Sequence, residues 1–244
     1  MNALPQRLLA EFLGSAALLA IVVGSGHMGE LLANGNAAIA LLANSTATGL
    51  GLWVLIELLG PISGAHFNPA VSAAFAWRGE LPGRDAAMYT FAQLAGAVCG
   101  VVAAHLMFDL APIALGTKIR LGSGQWLSEA IATSGLLLTI LLGLRTRPRA
   151  VPALVGAYIA CAYWFTASTS FANPAVTLAR SLTTTFAGIR PQDVPGFALA
   201  QFAGVIVAVL LMRVLAPASA SRCSASTMTS ALVLRTMSAR PTGS

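Results

Sequence analysis

The chain consists mainly of long apolar segments separated by short polar ones. Six segments are long enough, allowing for tilt and ragged ends, to cross the ~30 Å of a bilayer as helices, and the fifth is the shortest. Two further apolar runs, 71–77 and 176–181, are too short to cross it. The pattern predicts three spans with one short helix before the third, and then the same order again. The six segments are 7–25, 37–60, 86–108, 126–144, 151–167 and 197–216.

Each short run follows the same triplet, Asn68-Pro69-Ala70 or Asn173-Pro174-Ala175. Asparagine is a favoured helix N-cap and proline suits the first helical position, so each triplet predicts the start of a helix. Irregular backbone at membrane depth is tolerated only where it is buried in protein or lines a wet cavity. The two segments are therefore predicted to line a pathway. Half-helices that merely fill a bundle are the alternative, although they would leave polar groups unsatisfied.

The two halves of the chain also match outside the triplets. Glu129 follows Glu11 by 118 residues, the triplets are 105 residues apart, and an Ala-Gln-x-Ala-Gly sequence recurs after 108 residues, at Ala92 and Ala200. Such similar offsets indicate an internal repeat. Because each copy has three spans, the second copy enters the membrane from the opposite side, which predicts inverted repeats with a site at their interface.

Composition agrees with a membrane protein. The 244 residues are 57% hydrophobic and 9% charged, which disfavours a large soluble core. The formal net charge of +6 does not indicate nucleic acid binding, because the basic residues are single or paired between apolar runs. The three cysteines are far apart and no catalytic constellation stands out, so we expect no enzyme, no metal site and no cofactor.

The basic residues predict an orientation. Most of them fall in the segments that share a side with both ends of the chain, so the positive-inside rule predicts cytoplasmic termini and a multi-pass protein of the cell (inner) membrane. Residues 218–244 are rich in Ser, Ala and Thr with scattered Arg, which predicts a disordered cytoplasmic tail. The basic residues on the terminal side are Arg7, Arg78, Arg84, Arg145, Arg147, Arg149 and Arg213, and those on the other side are Lys118, Arg120 and Arg190.

The sequence Ser63-Gly64-Ala65-His66-Phe67-Asn68-Pro69-Ala70-Val71, together with Asn173-Pro174-Ala175, resembles the aquaporin (major intrinsic protein) family. The resemblance covers roughly residues 7–216. It implies an all-α membrane channel domain over residues 1–217, with six transmembrane helices and two re-entrant half-helices. The two inverted repeats would be residues 7–108 and 126–216. The resemblance also implies one pore per chain and a homotetramer in the lipid bilayer.

The resemblance assigns roles around the triplets. Asn68 and Asn173 would donate hydrogen bonds to a passing solute, and the opposed helix N-termini would repel cations. Glu11 and Glu129 would brace the backbone amides of the two loops; the alternative is that they snorkel near a helix end. Backbone carbonyls on the approach would accept hydrogen bonds from the solute, at Gly64, Ala65 and His66 in the first loop and Thr169, Ser170 and Phe171 in the second.

The family's selectivity filter has four positions, which spacing from the triplets assigns to Thr48, Cys161, Ser170 and Val176. Water-selective members resemble one another in having a large aromatic residue, a histidine, a small residue and an arginine there. Three of the four positions depart from that set, which predicts a wide and weakly selective pore. Val176 leaves the filter without the family's arginine; a partial reach of Arg180, one helical turn later, back toward the filter is the alternative.

A wide pore would pass small neutral solutes: polyols, urea-like amides, metalloid hydroxides such as arsenous acid, methylated arsenicals and water. The valine after the second triplet resembles bacterial members associated with arsenic resistance. The alternatives are a water-selective aquaporin and a glycerol or urea facilitator. A secondary transporter also uses inverted repeats and broken helices, and a structural protein with a vestigial pore is a further alternative.

Three residues carry separate expectations. Glu57 lies nine residues from Thr48, half a turn out of phase, so it should face away from the pore and make a helix or subunit contact. Pro61 is expected to end the second helix at Gly60. His105 is expected to be an interfacial residue near a helix end.

Overall fold

The structure is a computed structural model that describes residues 2–216, and within that range it contains eight α-helices and two short 3-10 turns. Five helices of this range are long and apolar enough to cross a membrane. The fifth predicted span, 151–167, corresponds to α6, which has 15 residues, fewer than the ~20 that a span usually needs. The predicted tail, 218–244, lies outside the described residues. The helices are α1 (Leu4–Leu32), α2 (Ala37–Ser63), α3 (Pro69–Trp77), α4 (Gly83–Met107), α5 (Ser123–Thr146), α6 (Val151–Phe165), α7 (Pro174–Arg180) and α8 (Val194–Leu215).

The predicted order of long and short helices is confirmed, but one predicted boundary is wrong. Helix α2 continues through Pro61 and ends at Ser63. A proline removes its own N–H donor and crowds the carbonyl four residues earlier, yet α2 accommodates Pro61 and continues for two more residues. The end is set instead by Gly64, whose φ of 90° is left-handed and whose N–H donates to the carbonyl of Gly60.

The helices pack as two inverted copies of one unit. In the first repeat α1 packs against α2 and α4, and in the second α5 packs against α6 and α8. Helices α2 and α6 contact each other across the boundary between the repeats. Each half-helix packs against the last helix of the other repeat, α3 on α8 and α7 on α4. The two half-helices are therefore held between the repeats.

Equivalent glycines allow the long helices of each repeat to approach closely. A Cβ atom on Gly96 of α4 would collide with the carbonyl oxygen of Phe12 in α1. A Cβ atom on Gly204 of α8 would collide with the carbonyl oxygen of Ala130 in α5. Small residues that bring backbones together are typical of helix packing in membranes. The repeated Ala-Gln-x-Ala-Gly sequence thus has a packing role through its glycine.

Candidate functional site

The two Asn-Pro-Ala triplets start the half-helices α3 and α7. Asn68 is the N-cap of α3, and its side chain accepts from the N–H of Ala70 at 2.9 Å. Asn173 is the N-cap of α7, and its side chain accepts from the N–H of Ala175 at 2.9 Å and that of Val176 at 3.2 Å. The proline of each triplet is the first helical residue, where its missing N–H costs nothing.

The two asparagines also join the half-helices to each other. Nδ2 of Asn68 donates to the carbonyl of Ala172 at 2.8 Å, and Nδ2 of Asn173 donates to the carbonyl of Phe67 at 2.7 Å. These bonds use one N–H of each amide and leave the other for the cavity that both asparagines line. Both helix N-termini therefore meet at one place, and each contributes roughly half a positive charge there.

The loops before the triplets have the same unusual backbone. Ala65 and Phe67 have φ of 50° and 48°, and Ser170 and Ala172, at the equivalent positions, have φ of 47° and 50°. Left-handed conformations at residues other than glycine cost on the order of 1–3 kcal/mol each and persist only where the surroundings hold them. The repeated strain marks both loops as functional segments.

Two buried glutamates hold these loops in place. Glu11 in α1 accepts from the N–H groups of His66 at 2.9 Å and Phe67 at 2.7 Å. Glu129 in α5 accepts from the N–H groups of Phe171 at 2.9 Å and Ala172 at 2.8 Å. Both glutamates are fully buried, so neither snorkels to a helix end. The geometry is that of the loop brace that the resemblance implies.

The glutamines of the repeated sequence complete this arrangement. Gln93 donates to Glu11 at 2.8 Å and to Ser72 at 3.0 Å, while Gln201 donates to Glu129 at 2.6 Å. Gln201 also donates to Thr177 in α7 at 2.8 Å. Each glutamine thus ties its glutamate to a half-helix. The sequence repeat located these glutamines, but only the structure shows what they do.

A path of adjoining cavities runs beside the two asparagines. A cavity of about 60 Å³ extends from Arg180 past both asparagines, with room for only a few water molecules. It adjoins a cavity of about 190 Å³ and then one of about 270 Å³, toward the terminal face, where α1 begins and α8 ends. Gly64, Ala65 and His66 line the second cavity. Eight of the other lining residues of the first cavity are apolar and form pairs four positions apart on their helices: Leu18 and Val22; Leu52 and Ile56; Leu136 and Ile140; Val155 and Ile159.

Of the four predicted filter residues, three line the first cavity and one does not. Thr48, Ser170 and Val176 are buried and face it. Cys161 is exposed and does not line it, so its assignment to the filter is wrong. Val155, Ile159 and Tyr163 of α6 line the cavity at a spacing of four residues. Cys161 is two positions from both Ile159 and Tyr163, so it lies on the opposite side of the helix.

Tyr163 takes the place in α6 that the sequence assigned to Cys161. It is 3% exposed, it lines the cavity, and its hydroxyl lies 3.3 Å from Oγ1 of Thr48. An aromatic side chain therefore does occupy the constriction, although it comes from α6 instead of α2. The four-residue spacing of Val155, Ile159 and Tyr163 was the signal in the sequence that would have identified it.

Arg180 also reaches the cavity. It is 1% exposed, it lines the cavity beside Val176, and its Cζ lies 3.4 Å from the centre of the Phe171 ring. The constriction thus contains an arginine and a tyrosine that the four predicted positions lacked. These two large side chains occupy space that the predicted wide pore would leave open.

Further basic side chains lie close to Arg180. Arg120, in the loop between α4 and α5, donates to the carbonyls of Gly188 and Ser168 at 3.0 Å each. Burial, together with the neighbouring charges of Arg120 and Arg180, lowers the pKa of Lys118 to about 8. Arg180 therefore has two basic neighbours.

The remaining single-residue expectations have different outcomes. Glu57 is exposed and does not line the cavity, as its phase on α2 predicts. His105 is 2% exposed and hydrogen-bonded through both ring nitrogens, to Thr183 at 2.7 Å and to the carbonyl of Ala111 at 2.8 Å. It is a buried histidine and not an interfacial one. Across residues 2–216, no group of three or more His, Cys, Asp or Glu side chains is arranged to hold a metal ion.

Known proteins share this sequence and fold. A sequence profile described as "Major intrinsic protein" matches residues 2–163. Aquaglyceroporin AqpS of Rhizobium meliloti (strain 1021) is 58% identical over 210 residues, which cover 86% of this chain and 90% of the relative. A probable glycerol uptake facilitator protein of Thermotoga maritima is 31% identical over 148 residues, 54% of this chain and 62% of the relative.

A solved structure has the same architecture. The X-ray structure of the aquaglyceroporin from Plasmodium falciparum matches with a TM-score of 0.72, over 88% of this chain and 98% of that one, at 20% identity. At that identity the match shows the fold alone. Together with the sequence profile, it identifies a non-enzymatic, multi-pass membrane channel of all-α fold with two half-helices. The chain belongs to the major intrinsic protein family.

Proposed function

We propose that the chain is a passive channel for small uncharged solutes that carry hydroxyl groups, with polyols such as glycerol, metalloid hydroxides such as arsenous acid, and water as its substrates. The observation that carries the proposal is the pair of asparagines, each hydrogen-bonded to the other's loop and each lining the same path. Methylated arsenicals that are neutral belong to the same chemical class.

The electrostatics of the path favour neutral solutes. Two helix N-termini and Arg180 place positive charge along it, and no carboxylate is among the residues that line the first cavity. A cation that entered would lose its hydration without gaining a negative partner. A neutral hydroxylated molecule can exchange its hydration for the amide N–H groups and loop carbonyls at little cost.

The chemistry of the cavity lining supports solutes that carry both hydroxyl groups and carbon atoms. The first cavity is lined by the two asparagines and by aliphatic side chains such as Leu52 and Ile159. A polyol offers hydroxyls to the amides and carbon atoms to the aliphatic side chains. The relatives named an aquaglyceroporin and a glycerol uptake facilitator support this choice.

The proposal includes orientation and assembly. Arg78 and Arg147 lie in connections on the terminal face, and Arg84 lies at the start of α4 on the same face. We therefore place the protein in the inner membrane with both termini in the cytoplasm. The channel domain is residues 1–217, and residues 218–244 form a cytoplasmic tail. A homotetramer with one pore per chain is part of the proposal.

The driving force of transport separates a channel from a transporter. Purified protein in liposomes should take up labelled glycerol and arsenous acid at rates proportional to the solute gradient. Imposed sodium or proton gradients should not change those rates. Uptake that a sodium or proton gradient drives against the solute gradient would contradict a passive channel, and uptake equal to that of empty liposomes would favour a structural protein.

A substitution at Val176 tests the size of the constriction. Because Val176 lines the first cavity, Val176→Arg is expected to fill it and to reduce glycerol and urea permeability on the order of tenfold, with a smaller reduction for water. Stopped-flow light scattering on liposomes measures all three. Equal loss for all three solutes would contradict a size effect, since it would indicate a blocked or misfolded channel. Val176→Leu, which keeps an apolar side chain, is the control.

A further inference from the structure

The guanidinium of Arg180 has a spare donor inside the cavity. Its Nε donates to the carbonyl of Ala187, while Nη1 is buried and has no hydrogen-bond partner among the described residues. Ser170, 2% exposed and lining the same cavity, has an Oγ atom that is likewise buried without a partner. Two polar side chains thus reach the same cavity, each with an unused hydrogen-bonding group.

Among residues 2–216, no acidic group forms a salt bridge with this arginine. The salt bridges of residues 2–216 are Arg7–Asp85, Arg78–Glu80 and Arg190–Asp193, and none includes Arg180. Glu129 is close enough to interact electrostatically with Arg180. Its carboxylate, however, already accepts hydrogen bonds from two loop N–H groups and from Gln201. A buried charge and an unused donor cost several kcal/mol unless water or a ligand satisfies them. The arrangement therefore indicates that whatever occupies the cavity is a hydrogen-bond acceptor.

The position of Arg180 is fixed by its neighbours. Its guanidinium lies against the Phe171 ring, and the Arg120 guanidinium lies 4.8 Å from the centre of the same ring. Phe171 also contacts Phe197 edge to face, with 5.1 Å between ring centres. Long side chains in a helix lean toward its N-terminus, so Arg180 extends back along α7 toward Val176, one turn before it.

We infer that Arg180 supplies the fixed positive charge of the constriction and, with Ser170, forms a two-donor subsite for an oxygen atom of a neutral hydroxylated solute. In the family resemblance that charge belongs to the residue directly after the second triplet, which here is Val176. The identity of the solute at this subsite rests on the proposed function. The exclusion of protons and other cations by Arg180 does not rest on the proposed function.

The first test removes the charge and keeps most of the side chain. In liposomes loaded with a pH-sensitive dye, a potassium diffusion potential drives protons inward. Arg180→Gln should raise the protein-dependent proton flux about tenfold or more, because the nearest fixed positive charge is lost. Arg149→Gln, at an exposed arginine on the terminal face, should leave proton flux unchanged. Unchanged proton flux in Arg180→Gln, or an equal rise in both variants, would overturn the inference.

The second test moves the charge back by one turn. Val176→Arg combined with Arg180→Gln should return proton flux to within about twofold of the original protein, since residues 176 and 180 share a face of α7. Rescue of this kind distinguishes a charge effect from a packing defect. A double variant that stays as permeable to protons as Arg180→Gln would overturn the inference.

The subsite has a test of its own, which also serves if Arg180→Gln fails to fold. Ser170→Ala removes only one hydroxyl and should lower the ratio of glycerol to water permeability at least about twofold without a proton leak. An unchanged ratio would overturn the subsite. Failure of the proposed function shows differently, as the original protein would then pass neither glycerol nor arsenous acid, while the proton flux of the Arg180 variants would still decide the role of the charge.

Discussion

Glutamine in place of Glu129 is expected to abolish most solute flux and to destabilise the protein. The carboxylate accepts from the N–H groups of Phe171 and Ala172 and from Gln201, all at 2.9 Å or less. A glutamine places an NH2 donor where one carboxylate oxygen now accepts, which leaves buried donors without partners at about 1–3 kcal/mol each. We expect glycerol permeability to fall on the order of tenfold and the midpoint of thermal unfolding to fall by roughly 5–10 °C.

Glu57→Gln is the matched control for this variant. It makes the same chemical change in another apolar helix, but Glu57 is exposed and does not line the first cavity. Glycerol permeability and unfolding midpoint should stay at the original values. If Glu129→Gln behaved like Glu57→Gln, the loop brace would have no role in holding the path open.

Aspartate in place of Asn173 is expected to convert a neutral-solute path into a cation-permeable one. Aspartate can still cap α7 by accepting from Ala175 and Val176, so the half-helix should persist. It cannot donate to the carbonyl of Phe67, and it adds a negative charge where two positive helix ends meet. Glycerol permeability should fall on the order of tenfold, and proton flux should rise by a similar factor.

Asn36→Asp provides the comparison. Asn36 is also a helix N-cap, accepting from Ala38 at 3.0 Å, but it caps α2 and does not line the first cavity. This variant should match the original protein in both glycerol and proton flux. An Asn173→Asp channel that still excluded protons would show that charge at the meeting point of the half-helices does not control permeation.

The repeated features of the sequence were sufficient to predict the architecture. Local chemistry determines where the half-helices begin, because asparagine caps a helix and proline suits its first turn at whichever site they occur. The similar offsets of the triplets, of Glu11 and Glu129, and of the two glutamines predict the inverted repeat. The structure contains both asparagine-capped half-helices and the hydrogen bonds from both loops to the two glutamates.

The constriction was predicted less well because it depends on helix phase and side-chain reach. The error at Cys161 was one of rotation, since two residues along a helix turn a side chain by about 200°. Spacing alone gives Arg180 only as an alternative source of the filter's charge, because its contact with Phe171 depends on the loop that follows α7. The end of α2 was misplaced because Gly64, and not Pro61, stops the helix.

The central claim is that neutral hydroxylated solutes larger than water pass beside the two asparagines. Stopped-flow light scattering on proteoliposomes, with water, glycerol and urea compared in one preparation and arsenous acid uptake followed in parallel, tests it most directly. We predict glycerol permeability well above that of empty liposomes, together with arsenous acid uptake. Rapid water flux with glycerol and arsenous acid at the level of empty liposomes would contradict the proposal and identify the chain as a water channel.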